Sequence, residues 1–295
     1  MHLLDLPPEI LSIIVNNTDK DTLLSLCLTE KHTLCQIARS CLEQNVTVVF
    51  DVGRKPRPDV FSFGSGRLSA IRSLSLIDHG SFALHSELYS PVFIRMVNLN
   101  HVRVIGGPGT LIRSIVESTT ASLTTLELEE CDAEPQDFSE MASVAIRRLS
   151  ISRCHSNVRF ILGPLTVEEL EVHGPSLDEE CTHVGVALRR LTDGNLKRLH
   201  LINTCRDPGC RDVLHLAHAL ETQPTRFPSL EVLILDIPLS QDTMEKLFRT
   251  VSVYPALKRL YLDGISLSRP FKLFGNGPDG LCLTLDMISF ATSIL

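Results

Sequence analysis

Leu123-Thr124-Thr125-Leu126-Glu127-Leu128 and Ile146-Arg147-Arg148-Leu149-Ser150-Ile151 share one pattern: apolar, two variable, apolar, one variable, apolar. The same hexamer recurs at Ile71–Leu76, Leu99–Val104, Val167–Val172, Leu196–Leu201, Leu230–Leu235 and Leu257–Leu262. From first apolar position to first apolar position, the steps are 28, 24, 23, 21, 29, 34 and 27 residues. The later apolar positions of each hexamer alternate with variable ones, which is strand periodicity with one face turned inward. A single strand of this kind cannot bury that face, whereas a stack of them makes a continuous core. Between the strands lie helical candidates, Arg211–Leu220 and Asp242–Val251, suited to an outer layer. A doubly wound α/β domain also alternates strand and helix, but the repetition of one hexamer argues for a stacked repeat.

A period of about 20–29 residues is that of leucine-rich repeats. Six of the seven steps fall inside it, and the step of 34 needs a longer loop. The expected fold class is therefore α/β. Residues 71–295 are predicted to form an irregular leucine-rich-repeat solenoid, with a parallel sheet on the concave side and helices on the convex side. Cys131 and Cys154 stand just beyond their strands and resemble the cysteine-containing variant of the repeat. Pro175, Pro238 and Ile265 occupy the equivalent position elsewhere, so a regular cysteine ladder is not expected.

The first fifty residues read differently. Leu6-Pro7-Pro8-Glu9-Ile10-Leu11-Ser12-Ile13-Ile14-Val15 predicts a short helix. Proline suits a first turn because its missing N–H would be unpaired there, and Glu9 suits the positive end of the helix dipole. Asn16-Asn17-Thr18 breaks the run. Asp19 or Asp21 can cap a second helix carrying Leu23, Leu24, Leu26 and Leu28. Leu34, Ile37, Ala38, Cys41 and Leu42 recur at helical spacing and give a third. The unit is bounded at residues 1–48. A polar, turn-rich segment, 49–70, connects it to the repeats; it includes Gly53-Arg54-Lys55-Pro56 and Gly64-Ser65-Gly66.

Composition narrows the function classes. The chain of 295 residues is 43% hydrophobic and 21% charged, with a formal charge of -7. A net negative chain without a basic run makes nucleic acid or an anionic membrane an unexpected main partner. Nine scattered cysteines, an odd number, fit free thiols in a reducing compartment better than a disulfide framework. Met1-His2-Leu3-Leu4-Asp5 lacks the basic start of a signal peptide. No segment approaches the roughly 20 apolar residues of a membrane span. The expected compartment is cytosol or nucleus.

Catalytic signatures are absent from the sequence. There is no Gly-x-Ser-x-Gly elbow and no His-Glu-x-x-His. Gly106-Gly107-Pro108-Gly109-Thr110 lacks the lysine of a phosphate loop and reads as a turn. Cys205, Cys210, His215 and His218 offer zinc-ligand chemistry. They lack a close Cys-x-x-Cys pair, however, and packing is the expected role. No metal, cofactor or enzymatic activity is expected. A nucleotide-binding or hydrolase-like enzyme would need a motif at a strand's C-terminal edge, and none is visible.

The run Leu6-Pro7-Pro8-Glu9-Ile10-Leu11, with Leu24, Leu26, Ile37 and Leu42 downstream, resembles the F-box motif, and the whole chain resembles an F-box protein of the leucine-rich-repeat kind. The resemblance implies a substrate receptor without chemistry of its own. It would bind a Skp-type adaptor and, through it, a cullin ubiquitin ligase. Leu6, Pro7, Ile10, Leu11 and Ile14 would then face the adaptor or the seam beside it, with Glu9 as a first-turn polar contact. Thr29-Glu30-Lys31-His32 departs from the Ser-Lys or Cys-Lys often found there. A leucine-rich-repeat scaffold without a ligase role, capped by residues 1–48, is the alternative.

Client-binding residues follow from strand alternation, since side chains between the core leucines point to the inner curve. That places Glu127 and Glu171 in acidic middle repeats, with Glu129 and Glu169 beside them. The later repeats carry Arg198, His200, Ile202, Val232, Ile234, Arg259 and Tyr261. Apolar residues framed by Arg and Tyr are the usual composition of interface hot spots. The acidic middle implies a client with a basic segment beside an apolar anchor.

Overall fold

The computed structural model describes residues 7–16, 18, 20–29, 33–50, 65–78, 86–119, 121–154, 161–173, 195–202, 227–236, 247, 254, 256–263, 266–267, 282–285 and 289–290. Three helices open the chain: α1 (Pro8–Asn16), α2 (Lys20–Thr29) and α3 (Thr33–Gln44). The carbonyl of Pro7 accepts the first helical bonds, from the Ile10 and Leu11 N–H groups at 3.0 and 3.1 Å. At the other end of α1 the Thr18 hydroxyl donates to the Ile14 carbonyl at 2.8 Å, occupying an acceptor the helix leaves open. Asp21 lies in the first turn of α2, the favourable end for a negative charge. Leu11 and Val15 of α1, Leu23 of α2, and Ala38 and Cys41 of α3 form a small core of their own.

The remaining elements alternate. They are β1 (Asn45–Phe50), α4 (Ser65–Ala70), β2 (Ser73–Asp78), α5 (Ser86–Phe93), β3 (His101–Ile105), α6 (Gly109–Ser118), β4 (Thr125–Glu129) and a 3-10 turn at Pro135–Phe138. Then come β5 (Val144–Ser152), β6 (Leu165–His173), β7 (Arg198–Ile202), β8 (Val232–Asp236), β9 (Arg259–Asp263), β10 (Ser266–Leu267), β11 (Cys282–Leu285) and β12 (Ser289–Phe290). β1 to β9 and β11 form one ten-stranded sheet in chain order, and β10 pairs with β12 separately. Every neighbouring pair in this sheet is parallel, from β1 against β2 to β9 against β11. A parallel sheet that adds strands strictly in chain order, without reversal, is a solenoid. With the recurring hexamer, it is a leucine-rich-repeat solenoid.

All three apolar positions of every hexamer are buried, from Ile71, Leu74 and Leu76 to Leu257, Leu260 and Leu262. Leu68 of α4, Phe93 of α5 and Leu111, Ile112, Ile115 and Val116 of α6 belong to the same continuous core. The helices described therefore cover one face of the sheet and leave the other open. The helical candidates Arg211–Leu220 and Asp242–Val251 lie outside the described residues, apart from Leu247, which is buried in that core.

The hexamer does not mark two strands of the large sheet, β1 and β11; for residues 281–290 the sequence leaves open a last repeat or an unpaired apolar tail. β1 pairs Val46 with Leu74 and Val48 with Leu76, so the sheet starts at Asn45 and not beyond residue 70. Helix α3 runs into it without a linker, and the Arg72 N–H donates to the Gln44 carbonyl at 2.9 Å. β11 pairs Leu283 with Leu260 and Leu285 with Leu262, so the segment near 281–290 contributes a last rung. Three residues before Val46 and Leu283 in the sequence stand Glu43 and Gly280, where the hexamer has its first apolar residue, which hid both units.

The turns show why each repeat holds its place. Leu68, Met96, Phe227 and Tyr254 are buried, and the carbonyl of each accepts the N–H of the residue three further on, at 2.9–3.4 Å. That residue is the first apolar position of the next hexamer. Beyond the strands the chain turns sharply: Gly106, Glu130 and Arg153 all have positive φ, at 72°, 51° and 50°. Cys131 follows one of these turns. Its thiol donates to the Val104 carbonyl at 3.4 Å, and its N–H donates to Cys154 Sγ at 3.4 Å. The side-chain hydrogen bond with the Cys131 thiol, together with burial, pushes the Cys154 thiol well above its usual range, although the Cys131 N–H acts in the opposite direction.

Candidate protein-binding surfaces

The first surface lies on the helical unit. Positions i and i+4 of a helix share a face, and Leu11 and Val15 use one face of α1 for the core. Ile10, Ile13 and Ile14 are left in solvent, with Ile13 58% exposed. On α2, Leu23 is buried, while Leu24 is exposed and Leu28 is 86% exposed. Among the residues predicted to meet an adaptor, Pro7, Ile10 and Ile14 are thus exposed. Leu11 is different: it is buried at 2% exposure inside the unit's own core, because α1 is apolar on nearly every side and only one side can face α2 and α3. Leu6 and the side chain of Glu9 lie outside the described residues. Ile13 and Leu28 were missed as surface residues, since their apolar type signals burial rather than exposure.

The second surface is the open face of the sheet. The register aligns Ser73, His101, Thr125, Arg148, Glu169, Arg198, Val232 and Arg259 in one row. It aligns Ser75, Arg103, Glu127, Ser150, Glu171, His200, Ile234 and Tyr261 in the next. In the C-terminal repeats these rows enclose a cavity of about 340 Å³ lined by Arg198, His200, Val232, Ile234, Asp236, Arg259, Tyr261 and Leu262. Six of the nine residues predicted for a client thus meet in one place, joined by Asp236 and Leu262. Ile202, Glu127 and Glu171 do not line it.

The middle repeats carry their acids in ion pairs. Arg103 Nη2 donates to Glu129 Oε2 at 2.6 Å, and Arg153 donates to the other carboxylate oxygen. The hydrogen bond from Arg103 holds the Glu129 carboxyl below its usual range; burial opposes this and Arg153 adds to it. Arg148 Nη2 donates to Glu171 Oε2 at 3.0 Å, and His173 Nε2 lies 2.8 Å from Glu171 Oε1. Burial pulls the Glu171 carboxyl upward, but those two hydrogen bonds and the neighbouring His200 outweigh it, and the net shift is downward. Glu169 lies 3.6 Å from Arg147; among the described residues Glu127 has only His101 within ion-pair distance, at 3.4 Å, an ion pair only when that histidine is protonated. The expected free acidic surface is therefore a charge-balanced ladder, and it gives no reason for a basic client.

Among the described residues no group of three or more His, Cys, Asp or Glu is placed to hold a metal ion. Cys205, Cys210, His215 and His218 lie outside them. Among the described residues no helix is long and apolar enough to cross a membrane.

No protein-family model matches the chain. No curated protein matches it either. Among solved structures, the leucine-rich repeat-containing protein LegL7 from Legionella pneumophila is similar over 74% of this chain and 81% of its own, with 14% identity and a TM-score of 0.42. The repeat architecture of this chain rests on its own ladder register and core.

Proposed function

We propose that the chain is a substrate receptor: the N-terminal helices dock on a Skp-type adaptor of a cullin ubiquitin ligase, and the open face of the repeats holds a client protein. The observation that carries the reading is the set of five large apolar side chains, Ile10, Ile13, Ile14, Leu24 and Leu28, left exposed on α1 and α2. They stand in a unit whose opening run resembles an F-box. Fully burying one such side chain is worth about 1.5–3 kcal/mol, so a partner covering all of them offsets much of an association cost of about 4–15 kcal/mol. Apolar residues at helical spacing on a short helix are what a groove-forming partner recognises. Client binding by the repeats is supported by the cavity between β7 and β9 and its composition.

A second reading is favoured by the direct passage of α3 into β1. A helical unit in that position also caps the first rung of a solenoid, as a binding scaffold without a ligase role requires. Affinity purification of the full chain from cells, followed by mass spectrometry, separates the two. A Skp-type adaptor and a cullin recovered with the chain support the receptor; recovery of other partners with neither of these supports the scaffold.

A further inference from the structure

Resting on the reading of the open sheet face as the client surface, the charges of that face say what kind of segment it takes. Arg103, Arg148 and Arg153 are all engaged by glutamates. Arg198 and Arg259 stand on the same face without such a partner: among the described residues neither has a carboxylate within ion-pair distance. Glu169, opposite Arg198 in the register, lies 3.6 Å from Arg147; on the adjoining edge Glu231 is held by Lys258 Nζ at 2.9 Å and Glu168 by Lys197 at 3.0 Å.

The register places these two arginines on either side of Val232. Neighbouring strands lie about 4.8 Å apart, so two exposed arginines flank one apolar residue. Two positions further along the same strands come His200, Ile234 and Tyr261, all half-buried and all lining the cavity. That step is about 6.6 Å along the strand direction. Asp236 closes the cavity two positions beyond Ile234, at the end away from both arginines. Among the described residues that line it, the cavity thus has a cationic end, an apolar floor and Asp236 at the far end.

We propose that this cavity holds an extended segment of a partner protein in which an aspartate or glutamate stands two residues from a large aliphatic or aromatic side chain. The carboxylate sits between Arg198 and Arg259. The apolar side chain packs on Ile234 and Tyr261. An acid-to-apolar spacing of two residues follows because an extended peptide and a strand share the same rise and the same alternation. The pairing reverses the preference for a basic client that the acidic residues of the sequence imply, because Glu129, Glu169 and Glu171 are already engaged by arginines within the sheet. Charge-assisted hydrogen bonds to a guanidinium are about twice as strong as neutral ones, so the arginines set the choice and the floor supplies the area.

The test selects a phage-displayed random peptide library against the full chain, in parallel with Arg198→Gln/Arg259→Gln and Tyr261→Ala. Both arginines are exposed, so the glutamine variants keep the fold, as circular dichroism would verify. The proposal expects acid-x-apolar peptides to be enriched by the native chain, and that enrichment to be lost with either variant. In fluorescence anisotropy a selected peptide should bind the double glutamine variant about tenfold or more weakly, consistent with loss of a charged pair. Enrichment of basic peptides that depends on Tyr261 would overturn the acidic partner and leave the sheet face as the client surface. Enrichment indifferent to both variants, or none at all, would overturn the client surface together with this inference. A synthetic peptide with phosphoserine in place of the acid is expected to bind no more than a few times tighter; a gain of a hundredfold would contradict a carboxylate partner.

Discussion

Arg103 on β3 reaches past the residue opposite it in register and donates to Glu129 on β4 at 2.6 Å. Arg148 on β5 makes the same diagonal step to Glu171 on β6 at 3.0 Å. Diagonal neighbours in a sheet are within reach of long side chains, so β3 is tied to β4, and β5 to β6, across the open face. The ties have a pH signature. Glu129 has its carboxyl held below the ordinary value of 4.5, so its contribution is complete above pH 4.5 and is lost as pH falls through the lower folded value. Glu129→Gln is expected to lower stability at neutral pH by about 1 kcal/mol and to flatten the loss of stability below pH 4.5. Urea denaturation at a series of pH values measures both; equal acid sensitivity in the variant and the native chain would contradict the tie.

Tyr254 gives the corresponding test at alkaline pH. It is buried beneath the turn into Leu257, and burial pushes its phenol from 10.0 up to about 12. The neutral form is favoured in the folded chain, so its contribution is complete below pH 10 and is lost as pH rises towards 12. Tyr254→Phe keeps the ring in the core and removes this loss. Thermal melts of the two chains are expected to diverge between pH 10 and 12, the phenylalanine variant keeping the higher midpoint.

Gly106 reports on the turn beyond each strand. It has a φ of 72°, and a Cβ there would collide with the Asp78 carbonyl oxygen. Gly106→Ala is expected to cost about 1–3 kcal/mol in chemical denaturation, well above a surface substitution. Glu130 occupies the equivalent turn with φ 51°. Glu130→Gly relieves an unfavourable conformation and is expected to be neutral or mildly stabilising.

The first rung can be tested by truncation. Val48 and Phe50 of β1 are buried in the main core, and β1 covers the edge of β2. A chain beginning at Asn45 is expected to remain folded. A chain beginning at residue 71 exposes a parallel edge strand and its apolar face, and is expected to aggregate. Size-exclusion chromatography distinguishes them, and a monodisperse shorter chain would contradict the placement of β1.

Sequence reading was strongest where a pattern repeats. Every strand from Ser73 to Asp263 and its inward and outward rows are set by the hexamer, because alternation in a strand leaves one face for leucine. It failed at the two ends, where Glu43 and Gly280 replace the first apolar residue of the unit. In α1 the reading could not choose a face: Ile10, Leu11, Ile13, Ile14 and Val15 are all apolar, and only packing against α2 and α3 separates buried Leu11 from exposed Ile13. On the sheet, the residues around the cavity were legible from the rows. The neutral character of the middle repeats was not, because it depends on where Arg103, Arg148 and Arg153 extend.

Docking of α1 is tested most directly by titrating a purified Skp-type adaptor into the full chain by calorimetry, comparing the native chain with Ile10→Asp/Ile14→Asp. Both side chains are exposed, so the double variant is expected to melt at the native temperature and to lose adaptor binding by a hundredfold or more, as two apolar anchors of about 1.5–3 kcal/mol each are removed. Undiminished binding by that variant, or no binding by the native chain, would contradict a receptor that docks through α1.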